Sequence, residues 1–95
     1  MTERVIPEST TPGRRTPTFT PDTVPAALLG LHHTTVWAEL LVEAGSVEFR
    51  EAQAGGDWVA TARPGEPVVI VPERRHRVVP SEDARFHVRF HDWVD

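Results

Sequence analysis

From Pro25 to the end of the chain, no window of a dozen residues sustains the i, i+3, i+4, i+7 apolar spacing of an amphipathic helix. Short apolar runs alternate instead with turn signals at Ala44-Gly45, Gly55-Gly56, Pro64-Gly65 and Pro80-Ser81. This punctuation predicts strands over 26–29, 35–42, 47–51, 58–62, 67–71, 76–79 and 84–91, and with them an all-β fold: an antiparallel barrel or two-sheet sandwich with almost no helix. Period-2 alternation assigns the faces. Phe86, Val88 and Phe90 share one side of the last strand, and His87, Arg89 and His91 the other. Val47 and Phe49 point inward by the same rule. The strand holding Ala38, Leu40 and Val42 has apolar residues on both faces and is expected to be central. The predicted core is Phe19, Leu28, Leu40, Val42, Phe49, Val69, Val78, Phe86, Val88 and Phe90.

The first 25 residues read differently. They hold five of the nine prolines and seven threonines, with few large apolar residues, which bars a helix or a central strand. An extended Pro/Thr-rich arm is expected, with residues 1–13 a mobile tail and Phe19 an apolar anchor at the start of one domain over 14–95. A 95-residue chain buries only about 60–65% of the surface its unfolded form exposes, so a homodimer is expected to supplement the core.

Composition narrows the chemistry. There is no cysteine, which removes disulfides, thiolate metal sites and thiol nucleophiles, so any site must use His, Asp, Glu, Ser or Thr. The ten basic residues are all arginines, set among fourteen acids for a formal charge of −4, so nucleic acid is not an expected partner. No apolar run has the length of a signal peptide or a membrane span, which leaves no membrane role and a cytoplasmic expectation.

Histidine is the chemically suggestive residue. His32 and His33 open the strand that contains Trp37, and because adjacent strand residues face opposite ways, only one of the pair can face an interior. His76 opens another strand after a Pro-Gly turn and shares parity with Val78, as His32 does with Val36. His32 and His76 are expected to converge in one cavity, with Trp37 either a wall of it or ordinary core or interface packing, while His33, His87 and His91 stay outside it. His87 and His91, four residues apart along a strand, sit about 13 Å apart and are expected to be solvated. Neutral imidazoles suit a divalent metal such as Zn, Ni, Fe or Mn, with Glu39 as a possible carboxylate ligand. Glu39 is an odd number of residues from His32, which places it on the opposite face unless a bulge intervenes. The alternative is a polar pocket, or local hydrogen bonding alone. Arg74, Arg75 and Arg77 are read as members of a surface ion-pair network, with an anion-binding site as the alternative.

His32, Thr34, Glu39 and Gly45 resemble a degenerate first cupin motif, and Gly65, Pro72 and His76 a degenerate second one. Over a longer span, RTPTF (15–19), VPAALLGLHHTTVWAELLVEAGSVEF (24–49) and PGEPVVIVPERRHRVVPSEDARFHVRF (64–90) together resemble the TehB/YeaR-like domain family. The loop after Thr34 is about two residues shorter than is usual in that family. The resemblance implies a cupin-like, RmlC-type jelly roll and places the family's histidines on His32 and His76. It implies a small stress-associated binding protein linked to tellurite or nitrate/nitrite response, taking a small molecule, anion or metal. The alternative it implies is a metal-dependent oxygenase or isomerase with His32, His76 and Glu39 or water as ligands. No methyl transfer is expected, since 95 residues supply no Rossmann fold with its glycine-rich loop.

Overall fold

The computed structural model of the chain describes residues 4–94. It contains two antiparallel sheets that do not close into a barrel. Along the chain run β1 (Thr10–Arg15), α1 (Ala26–Leu29), β2 (Ala38–Ala44), β3 (Val47–Glu51), β4 (Trp58–Ala62), β5 (Val68–Ile70), β6 (His76–Pro80) and β7 (Arg85–Trp93). One sheet has the order β1-β7-β2-β5 and the other β4-β3-β6.

The inward residues follow the alternation. Ala38, Leu40 and Val42 of β2, Phe86 and Val88 of β7, and Val68 and Ile70 of β5 meet Val47 and Phe49 of β3, Ala62 of β4 and Val78 of β6. Leu40, Phe49 and Phe86 have no exposed surface. Val69 departs from the expected core, because β5 puts Val68 and Ile70 on the buried side and Val69 on the other. Leu28 and Phe90 pack against the core but are only partly buried.

One expectation for the chain's first third needs correction. Ala26–Leu29 is one helical turn and not a strand: Pro25 precedes it with φ −59°, and Ala-Ala-Leu-Leu is a run of strong helix formers that lacks β-branching. Of the tail expected to be mobile, residues 1–3 lie outside the described residues. Within the rest, β1 pairs with β7, setting Thr10 opposite Trp93 and Pro12 opposite His91. As an edge strand it tolerates Pro12, whose missing N–H would break a central ladder. The arm then continues as expected, with Phe19 exchanging backbone hydrogen bonds with Phe86 and packing edge-on against its ring at 5.9 Å.

Gly45 makes the β2–β3 hairpin possible. Its φ is +68°, and a Cβ there would lie 2.9 Å from the Ala84 Cα, so the β2–β3 turn sits directly on the turn that leads into β7. Among the described residues, no helix is long and apolar enough to cross a membrane.

Candidate functional site

His32 lies in the connection before β2, and His76 opens β6. The two residues form an isolated antiparallel bridge, His32 N–H donating to His76 O at 2.9 Å and His76 N–H to His32 O at 2.7 Å. Their rings meet edge-to-face with centroids 4.4 Å apart. Each imidazole is oriented the same way: His32 Nδ1 lies 3.0 Å from Gly30 O, and His76 Nδ1 lies 3.0 Å from Arg74 O. A carbonyl only accepts, so each Nδ1 carries the hydrogen, and in the neutral ring Nε2 then holds the lone pair.

His76 is the anchored member. It is 2% exposed and packs on the Phe49 ring at 4.9 Å. Burial, reinforced by the neighbouring His32, pushes its pKa down to about 4 against an ordinary 6.5, although the Arg74 carbonyl and Glu51 pull the other way. His76 is therefore neutral at physiological pH. Both histidines line a cavity of about 60 Å³ between the sheets, otherwise walled mainly by Leu40, Ile70, Val78 and Phe86. That space admits a water-sized or single-ion occupant and not a metabolite.

Beside the pair sits a carboxylate the sequence reading passed over. Glu51 pairs in register with His76 and is fully buried. Arg4 Nη1 donates to its Oε1 at 2.9 Å, Gln53 Nε2 to its Oε2 at 3.0 Å, and Arg74 Nη1 to the same oxygen at 3.4 Å. Burial raises the Glu51 pKa, but the hydrogen bonds from Gln53 and Arg4 and the two arginine charges outweigh it, holding the carboxyl below its ordinary range. Arg4 also reaches Val69 O at 2.7 Å, and its guanidinium lies over the Trp58 ring at 3.9 Å, so the start of the chain is clasped to the end of the sandwich where the histidines sit. The signal was present in the alternation: Val47 and Phe49 face inward, so Glu51 shares their parity.

The other candidates lie elsewhere. No bulge moves Glu39 to the inner face; its Oε1 lies 2.8 Å from His91 Nε2, and among the described residues no group of three or more His, Asp or Glu side chains could hold a metal. Trp37 does not line the cavity, because it precedes the inward Ala38 by one residue; its carbonyl accepts from His91 N–H. His33 turns to the opposite side, as expected, 3.6 Å from Glu73. Glu73 holds φ 66° and donates its N–H to Thr34 O, tying the β5–β6 connection to the histidine loop. His87 and His91 are not solvated as expected. The carboxylates that face them across β2 shelter both: His91 is buried against Glu39, and His87 Nδ1 lies 2.9 Å from Glu43 Oε2. Arg74 likewise leaves the expected surface network for the buried Glu51.

Fold and site together define a two-sheet antiparallel β domain with a histidine pair at one end of its interior. The chain belongs to the TehB-like domain family, whose pattern it matches over residues 14–88. Among solved structures, a protein from E. coli strain K12 is similar at 25% identity with a TM-score of 0.84, covering 95% of this chain and 97% of that one. TehB from Haemophilus influenzae is similar in fold, with a TM-score of 0.72 at 23% identity over 90% of this chain and 32% of that chain. This chain therefore spans about a third of that protein's length. No curated protein matches it in sequence.

Proposed function

We propose that this TehB-like domain is a small cupin-like binding module, tied to tellurite or nitrate/nitrite stress, that takes a divalent cation at His32 and His76. The observation that carries the reading is the shared orientation of the two rings. Each Nδ1 is committed to the carbonyl two residues before it, the outer-shell arrangement that fixes the tautomer of metal-binding histidines and leaves Nε2 as the donor. Neutral His76 supports a cation over an oxyanion, because its Nε2 offers a lone pair and no hydrogen.

Two imidazoles suit zinc, nickel, iron or manganese, with the remaining positions left to water. Binding is favoured over oxygenase or isomerase chemistry by the commitments of the nearby carboxylates: Glu39 is bonded to His91, and Glu51 to two arginines and Gln53. Calorimetric titration with zinc and nickel tests the proposal. Wild type should bind with one site per chain, and the affinity should fall by at least about tenfold in His32→Ala and disappear in the double variant with His76→Ala. Equal binding by wild type and the folded double variant would overturn it.

A further inference from the structure

On the far side of Thr34 and Phe90, which also wall the histidine cavity, opens a separate cleft of about 650 Å³ lined by Arg14, His33, Thr35, Val36 and Asp92. This volume is in the range of sites that hold metabolites.

A bulge in β1 builds one side of the cleft. Between the pairs Pro12 with His91 and Arg15 with Arg89, β1 advances three residues while β7 advances two, so Gly13 and Arg14 both stand opposite Phe90. Bulges of this kind re-aim a side chain. Arg14 comes to lie over the Phe90 ring, 5.7 Å from its centroid, and makes no hydrogen bond or ion pair among the described residues. The same bulge seats the opposite charge. Asp92 lies against the backbone of Gly13 so closely that a Cβ there would be 2.1 Å from Asp92 Oδ2, and the Asp92 carboxylate likewise has no hydrogen-bonding or ionic partner among the described residues. Arg14 and Asp92 thus line one cleft without pairing with each other, their charged atoms more than 4.0 Å apart.

We propose that this cleft binds a small zwitterion, a free α-amino acid with a compact apolar side chain. Its carboxylate is received by Arg14 and its ammonium by Asp92, while its side chain covers Phe90 and Val36 and the hydroxyls of Thr34 and Thr35 are left to hydrogen-bond the head group. A lone anion would leave Asp92 facing it, and a lone cation would face Arg14, so a ligand with both charges complements the cleft better than either. The site is independent of any cation at the histidine pair.

Backbone NMR titration with leucine, leucinamide and N-acetyl-leucine tests this directly. For wild type, leucine should shift the amides of Thr34, Val36 and Phe90 and bind about tenfold more tightly than either analogue, each of which lacks one charge. Arg14→Gln should erase the preference for leucine over leucinamide, and Asp92→Asn the preference for leucine over N-acetyl-leucine. Both positions are exposed, so folding is not at stake. Leucine binding should persist in His32→Ala, which separates this site from the cation site. Absence of shifts at 10 mM leucine, equal binding of the three probes, or preferences that survive both substitutions would overturn the proposal.

Discussion

Holding His76 neutral in the fold makes stability depend on pH in a defined window. The unfolded chain takes up a proton near 6.5, whereas the folded chain resists until about 4. Between those values the unfolded state binds more protons, so stability is fully present above 6.5 and is lost as pH falls toward 4. Over pH 7.5 to pH 5 the linkage relation gives a loss of about 2 kcal/mol, with a ceiling on the order of 3 kcal/mol below pH 4. That is a large share of what a domain of this size has. Glu51 and Glu43, whose pKa values are lowered from 4.5, lose their contribution at still lower pH, so measurements kept at pH 5 and above isolate the histidine. The assay is urea unfolding at several pH values for wild type and His76→Gln. The variant loses ring packing on Phe49 and His32 and is less stable throughout, but the slope is what matters: it should be flatter than wild type by about 2 kcal/mol over the interval. Identical slopes, or a His76 imidazole titrating at 6.5 by NMR, would show that the fold does not hold His76 neutral.

Other outcomes follow from the packing. Phe86→Ala, at a fully buried position packed edge-on against Phe19, should cost on the order of 3–5 kcal/mol and abolish the unfolding transition at 37 °C or bring it close to zero denaturant. Arg4→Ala removes an ion pair to a buried carboxylate and a guanidinium from the face of Trp58; a loss on the order of 2 kcal/mol in urea unfolding is expected, with a blue or red shift in Trp58 fluorescence. We also propose a homodimer, since four strands end the two sheets as edges and the core is small; sedimentation at high micromolar concentration should show a species heavier than 10.6 kDa, and only the monomer mass would contradict it.

Much of the architecture was legible because one face of each strand is buried. Alternation at Phe86, Val88, Val47 and Phe49 fixes register, since a slip of one residue would expose the whole set. Parity also placed Glu39 away from His32. What escaped the reading was decided by tertiary context. Ala26–Leu29 is apolar enough for a strand, and only the fixed φ of Pro25 and the local helix propensity tip it the other way. β1 carries no apolar pattern, so its pairing with β7 rests on backbone hydrogen bonds that leave no periodic trace. His87 and His91 have the parity of a solvated face, but the carboxylates that shelter them lie on β2, 44 and 52 residues away. The Arg4–Glu51 clasp spans 47 residues and is invisible for the same reason.

His32 and His76 should hold one ligand through their Nε2 atoms. Long-range ¹H–¹⁵N NMR of the five imidazoles measures this directly. At pH 7.5 His76 should be the Nδ1–H tautomer, set by its bond to Arg74 O, and the His32 and His76 Nε2 resonances should move together as zinc is added, with those of His33, His87 and His91 unmoved. A hydrogen on His76 Nε2, or zinc-induced shifts confined to the other three histidines, would contradict it.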